Sequence, residues 1–232
     1  MVAVVLGGGT GQRLGAGQPK QLLTLGGSTL ISRCISTFSS APGIDEILVV
    51  MAGGYLTEVK AMVASFPKVS AVIEGGVTRS DSVRAALAVL SGFPGDVAVL
   101  LHDAARPLID QAIIASCVSA LAVHDAVGTA IPSSDTVVFA ADGVMSHVPP
   151  REQLWRCQTP QCFRLPVIVR AHELAAADPL FVPTDDCGVV LRYLPDVPVH
   201  IVMGSERNIK VTYPQDLAIA EALLDSISQS TG

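Results

Sequence analysis

The run Gly7-Gly8-Gly9-Thr10-Gly11-Gln12-Arg13-Leu14 directly follows the apolar stretch Val2 to Leu6, and Pro19-Lys20-Gln21 comes shortly after it. Glycines at the end of a strand let backbone N–H groups close on a phosphate. Spacing tests which kind of phosphate loop this is. No frame gives GxxxxGK[ST]. The dinucleotide pattern GxGxxG fails as well: from Gly7 the third glycine falls on Gln12, and from Gly9 it falls on Leu14. The carboxylate expected at the end of the second strand is replaced by Val49, Val50 and Met51. What stands here is GGxGxR followed by Lys20. The first acidic residue of the chain is Asp45, so Arg13, Lys20 and Arg33 have no counter-charge nearby in sequence. Backbone amides with an adjacent Arg and Lys suit a triphosphate. The alternative is a flexible turn carrying two solvated basic side chains.

His102-Asp103-Ala104-Ala105-Arg106-Pro107 closes another apolar run, Val97 to Leu101. Ligands of open α/β sheets bind beyond the carboxyl ends of strands. Asp103 placed there can hold a Mg²⁺ that bridges phosphate oxygens; the alternative is an Asp–Arg pair that locks a turn. His102, at the end of a buried strand, reads as structural. Gly75-Gly76-Val77-Thr78-Arg79-Ser80-Asp81-Ser82 joins a third strand to a helix. The double glycine lets a base or ribose approach the backbone, and Ser80 or Asp81 is expected to cap the helix. Farther along, Arg151 to Phe163 and Asn208 to Thr212 add Arg151, Thr159 and Lys210. On residue type alone, Arg151 is an exposed charge and Lys210 a strand-edge lysine that discourages aggregation.

The elements that must position these groups follow from periodicity. Val2–Leu6, Glu46–Met51, Val69–Ile73 and Val97–Leu101 read as buried strands, and Thr29–Phe38, Leu56–Phe66 and Asp81–Leu90 as helices between them. Asp110 is a natural N-cap for a helix over Gln111–Val123. This alternation predicts a doubly wound, mainly parallel Rossmann-like α/β sheet. The rhythm breaks from about 133 to 163. There Thr136–Ala140 and Val144–Val148 flank Ala141-Asp142-Gly143, the pattern of a β-hairpin arm inserted into one domain spanning 1–232. Helices are expected over Leu165–Ala177, after Thr184, and from Pro214 to about Ile227. Late strands are expected over Val199–Val202 and Ile209–Val211.

The 232 residues carry a net charge of −6 with a pI near 5.3. That balance disfavours a nucleic-acid backbone as partner. No apolar run nears the ~18 residues that span a bilayer, and the start lacks the basic segment of a signal peptide. Five scattered cysteines without a CxxC pair argue against structural zinc and fit free thiols in a reducing cytoplasm.

Taken together, GGGTGQR…PKQ, GGVTRSDS, LLHDAARP, SSDT, QTPQCF, TDDC and NIKVTYPQDLAIAE occur in one order across almost the whole chain. In this the sequence resembles the 2-C-methyl-D-erythritol 4-phosphate cytidylyltransferases, with the ribitol-5-phosphate cytidylyltransferases as close relatives. The resemblance implies a nucleotidyltransferase domain whose β-arm builds a homodimer. It implies a reaction of CTP with a polyol phosphate, with Mg²⁺, giving a CDP-polyol and pyrophosphate for isoprenoid precursor synthesis. By motif, Gly8, Gly9, Gly11, Arg13 and Lys20 would hold the CTP phosphates. Gly76 and Ser82 would meet the cytosine and ribose, Asp103 would bind Mg²⁺, and Ala104 would line the nucleotide. Thr136, Arg151, Thr159 and Lys210 would hold the polyol phosphate, Arg151 from the partner subunit. Arg13, Lys20 and Lys210 would carry the catalysis. The Gly-Gly-Gly-Thr-Gly opening, Val77, Val138 and Cys187 lean towards the ribitol branch. Ala104-Ala105 and the closing NIKVT motif lean towards the methylerythritol branch, which is the leading expectation. A non-catalytic nucleotide-binding protein is the alternative of another class.

Overall fold

A computed structural model describes residues 1–9, 18–94 and 97–230. In chain order the elements are β1 (Val2–Gly7), β2 (Thr24–Leu25), β3 (Ser28–Thr29), α1 (Leu30–Ser40), β4 (Glu46–Met51), α2 (Leu56–Val63), β5 (Val69–Glu74), α3 (Arg79–Leu90) and β6 (Ala98–Asp103). Then come α4 (Gln111–Ala120), β7 (Ala126–Pro132), β8 (Phe139–Ala141), β9 (Val144–His147), β10 (Trp155–Arg164), α5 (Leu165–Ala176), α6 (Asp186–Tyr193), β11 (Val199–Met203) and α7 (Pro214–Ser230). Seven strands form one sheet in the order β11-β7-β10-β6-β1-β4-β5. β1 pairs in parallel with both β4 and β6, setting Val4 opposite Leu48 and Leu101. The fold is therefore the expected α/β architecture with a mainly parallel sheet.

Alternation along the strands builds the two faces. Ala3 and Val5 of β1 point to the side covered by α1 and α4, where they meet Ile31, Ile35, Phe38 and Ile114. Val2, Val4 and Leu6 point the other way, onto Val83 and Leu87 of α3 and Ile168 of α5. A third cluster, Leu25, Leu30, Leu108, Val211 and Ala220, seats α7 beside the β2–β3 ribbon. β1 connects through α1 to β4 on one side and its neighbour β6 through α4 to β7 on the other, so the connections of these two strands leave in opposite directions. A crevice opens there beyond the carboxyl ends of β1 and β6, the place where such sheets bind ligands.

Three expectations are corrected. The arm is shorter than 133–163: β8 and β9 form the hairpin, but Trp155–Arg164 is a strand of the central sheet, antiparallel to both β6 and β7. Its polar Gln158-Thr159-Pro160 centre hides it from a pattern search, and the Pro is accommodated where the register shifts between Cys157 and Gln161. Ile209–Val211 is no strand. It is an irregular segment tied to the sheet by Val211 N–H donating to Ala105 O at 2.8 Å and, just before it, by Arg106 Nη1 donating to Asn208 O at 2.6 Å. The cap of α3 is Thr78, not Ser80 or Asp81. Thr78 Oγ1 accepts from the Asp81 N–H, and Asp81 Oδ2 accepts from the Thr78 N–H at 2.9 Å, a reciprocal capping box.

Candidate active site

The glycine turn is anchored from below by Gln21. This side chain is buried, and its Nε2 donates to Gly7 O and, at 2.8 Å, to Gly9 O. Gly8 lies against the turn that precedes α3: a Cβ on Gly8 would overlap Ser82 Oγ, and one on Gly76 would overlap Asp81. Ser82 Oγ in turn accepts from Gly76 N–H at 3.2 Å and donates to Thr78 O at 3.1 Å. The two glycine segments are thus packed to backbone contact, with Gly8, Gly9, Lys20, Thr78, Arg79, Ser82, Asp103, Ala105 and Lys210 around one cleft. Lys20 Nζ donates to Val211 O at 2.9 Å, which sets the ammonium at the cleft wall. Gly11 and Arg13 lie outside the described residues.

Asp103 ends β6 at the centre of this wall. Its Oδ1 accepts from Arg79 Nε at 2.9 Å and its Oδ2 from Lys210 Nζ at 2.7 Å. Burial acts to raise its pKa, but Arg79 and Lys210 outweigh burial and hold the carboxyl far below the usual carboxylate range. Arg79 also pairs through Nη1 with Asp186 at 2.8 Å. Burial opposes the charge of Arg79, and the two carboxylates overcome it, so its pKa is raised. Arg79, Asp103 and Lys210 are shared with a second cleft, walled further by Arg106, Cys157, Gln158, Thr159, Gln161, Thr184 and Asp185. In the first cleft three basic side chains face one carboxylate, and in the second three face two. A chain of net negative charge places Lys20, Arg79, Arg106 and Lys210 at two adjoining hollows, an arrangement that draws in anions.

The remaining expected residues divide. Thr159 reaches the second cleft, but its hydroxyl is committed. It accepts from Asp103 N–H at 3.1 Å and contacts His102 Nδ1 at 3.0 Å. Nε2 of His102 faces Arg106 O at 3.1 Å. Burial lowers the His102 pKa to about 4, so the ring is neutral near pH 7 and structural, as its position in the strand indicates. With Nε2–H donated to Arg106 O, Nδ1 accepts the Thr159 proton, and Thr159 acts on the site by fixing the end of β6. Ala104 is fully buried and its N–H bonds Leu6 O, while its neighbour Ala105 lines the cleft. Thr136 and Arg151 lie together on the arm, Arg151 Nη2 donating to Thr136 Oγ1 at 2.8 Å, and neither lines either cleft within this chain. Sequence reasoning missed Arg79 and Arg106. Both stand inside motifs that were otherwise read, next to the double glycine and the strand-end Asp, and that adjacency is the signal for them.

The donor set fits Mg²⁺ only in company with phosphates. No group of three or more His, Cys, Asp or Glu converges among the described residues. Mg²⁺ at phosphate sites takes one or two carboxylates and leaves the rest to waters and phosphate oxygens. The ionised Asp103, with one bond on each oxygen, keeps lone pairs for that purpose.

A doubly wound sheet with a glycine turn, a flanking lysine and a strand-end carboxylate at its switch point defines a protein of the nucleotidyltransferase class. The model of the 2-C-methyl-D-erythritol 4-phosphate cytidylyltransferases matches residues 1–226, and the chain belongs to that family. It is 51% identical to the 2-C-methyl-D-erythritol 4-phosphate cytidylyltransferase of Thermobifida fusca (strain YX), over 97% of this chain and 93% of that one. It is also 36% identical to the bifunctional ribulose 5-phosphate reductase/CDP-ribitol pyrophosphorylase of Haemophilus influenzae, over 98% of this chain but 48% of that protein. Among solved structures, the 4-diphosphocytidyl-2C-methyl-D-erythritol synthase of Anaerococcus prevotii superimposes with a TM-score of 0.86 at 27% identity, covering 97% of this chain and 95% of that one.

Proposed function

We propose that the chain transfers CMP from CTP to 2-C-methyl-D-erythritol 4-phosphate. A phosphate oxygen of the acceptor forms the new bond to the α-phosphorus of CTP, the bond from that phosphorus to the β-phosphate oxygen breaks, and pyrophosphate leaves. The observation that carries this reading is the Arg79–Asp103–Lys210 wall, common to two cationic clefts, which suits two polyanions meeting across it. The enzyme's problem is mutual repulsion, so positioning and charge neutralisation supply the catalysis. Gly8, Gly9 and Lys20, with Gly11 and Arg13, hold the triphosphate. Gly76 and the Ser82-braced turn receive the nucleoside. Lys210 stands between the clefts and orients the acceptor, beside Arg106. Asp103 would hold Mg²⁺, which would supply charge neutralisation on the phosphate oxygens. Thr136 and Arg151, remote from the clefts of their own chain, complete the acceptor site of a partner subunit. Exposed Phe139, Val144 and Met145 on the same hairpin support that role for the arm. Five unpaired thiols fit work in a reducing cytoplasm.

Ribitol 5-phosphate is the second reading, favoured by Val77, Val138 and the Haemophilus relative. Pyrophosphate release measured with CTP, Mg²⁺ and each acceptor decides between them. The expected result is kcat/KM for methylerythritol phosphate higher by about tenfold or more, which corresponds to roughly 1.4 kcal/mol of transition-state discrimination. Reversal of that order establishes the ribitol reading, and CTP binding with no release from any acceptor establishes a non-catalytic protein.

A further inference from the structure

Asp186, the first residue of α6, is 1% exposed and occupies the junction of three helices. Its N–H and that of Cys187 both donate to Gln161 Oε1, at 2.8 and 3.0 Å, which ties α6 to β10. One carboxylate oxygen contacts His172 Nε2 of α5 at 3.1 Å, and the other pairs with Arg79 Nη1 of α3 at 2.8 Å. Arg79 passes the contact on to Asp103 through Nε. The result is an unbroken polar line, His172–Asp186–Arg79–Asp103, running from a buried helix face to the wall between the clefts. A buried ion pair is weak support for stability, since well-packed apolar side chains serve as well or better. Here Asp103 holds the guanidinium by a hydrogen bond through Nε and Asp186 by an ion pair at Nη1, so its place is set by two carboxylates on different nitrogens, which apolar packing cannot supply. The third nitrogen, Nη2, is buried and has no hydrogen-bond partner among the described residues.

We propose that Asp186 and His172 are positioning residues for the transfer reaction: they hold Arg79 so that its guanidinium sets the Asp103 carboxylate at the wall between the clefts. His172 acts through Asp186 and touches no substrate. The inference rests on the cytidylyl-transfer reading.

The test uses the full-length chain with CTP, Mg²⁺ and the preferred acceptor. Asp186→Asn lowers kcat by roughly 10–100-fold, the scale found when a supporting shell around a charged site is removed, while KM for both reactants stays near wild type. His172→Leu lowers the same parameter less. His172→Gln, which keeps an N–H for Asp186, restores it, whereas a packing role is satisfied by Leu. The double variant is no slower than Asp186→Asn alone, because the two act in series. Glu173→Gln, exposed on the same helix, leaves the rate unchanged. The Arg79 Nε–Hε signal in ¹⁵N spectra is protected from solvent exchange in the wild type and loses protection in Asp186→Asn. Wild-type kcat in Asp186→Asn, equal rates for His172→Leu and His172→Gln, additive losses, or retained Arg79 protection each overturns the proposal. If Asp186→Asn does not fold, the His172 pair decides. If the wild type turns over no acceptor, the functional reading has failed, and the Arg79 signal still judges the positioning claim by itself.

Discussion

Lys20 shows how a single residue type acquires a task from its surroundings. Its short 3-10 turn follows Pro19, and its bond to Val211 O draws the ammonium to the cleft from the far end of the chain. There it faces the glycine turn of β1 across the cleft. A charge used mainly in the transition state, once removed, costs ~2.7–4 kcal/mol, about 10²–10³ in rate. Lys20→Ala is therefore expected to keep its thermal midpoint and to lose that factor in kcat, measured by pyrophosphate release; turnover near wild type would remove Lys20 from the mechanism. Lys20 was readable in sequence because it stands in an acid-free stretch beside a glycine run. Lys210 was not readable on its own, since its role depends on meeting Asp103 across 107 positions of sequence. Only the motif around it supplied the expectation. Thr159 was expected only from its motif, and the direction of its hydroxyl towards His102 depends on the depth of β10 in the sheet.

Among the elements, α3 is set by two local devices that can be tested separately. The capping box joins Thr78 and Asp81, and the carboxyl of Asp81 is lowered by the Thr78 N–H bond, then by the Thr78 hydroxyl. A lowered folded pKa gives stability that is present above the unfolded value, about 3.9, and is lost as pH falls through and below it. Asp81→Asn is expected to cost ~0.3–1 kcal/mol at pH 7, a difference that closes below about pH 3 in denaturant titrations. A gap that persisted in acid would mean the carboxylate is not what closes the capping box. The second device is the contact of Gly8 with Ser82. Gly8→Ala drives a methyl group into Ser82 Oγ, so CTP affinity, followed by calorimetry, should drop. Adding Ser82→Ala should recover part of it, and losses that simply add would show that the two turns do not pack as described. The apolar strand runs and the helix spacings declared most of the elements in sequence. Thr78 does not declare itself as the cap in sequence because three residues within one turn, Thr78, Ser80 and Asp81, all have capping chemistry, and the choice rests on where the chain enters the helix after the double glycine.

At the scale of the whole molecule, the parallel part of the sheet was legible because its strands are buried on both faces and read as continuous apolar runs. The antiparallel β10 was not, because a buried strand that builds a site spends its centre on Gln158, Thr159 and Gln161. The hairpin was legible from Asp142-Gly143, and its outward Phe139 and Met145 leave apolar surface that a second copy can cover. Wild-type protein is expected to sediment as a dimer. Phe139→Asp with Met145→Asp is expected to give a folded monomer that loses transfer activity while still binding CTP. A fully active monomer would place Thr136 and Arg151 outside the reaction.

The central claim is that the amino-terminal glycine turn and the Arg79–Asp103–Lys210 wall together bring two phosphorylated reactants into contact. A crystal structure with CTP and Mg²⁺ tests it most directly. The account predicts the triphosphate along Gly8 and Gly9 with Lys20 on its oxygens, the α-phosphorus facing the wall, and the metal on Asp103. A triphosphate bound elsewhere, with the glycine turn and Lys20 uncontacted, would contradict it.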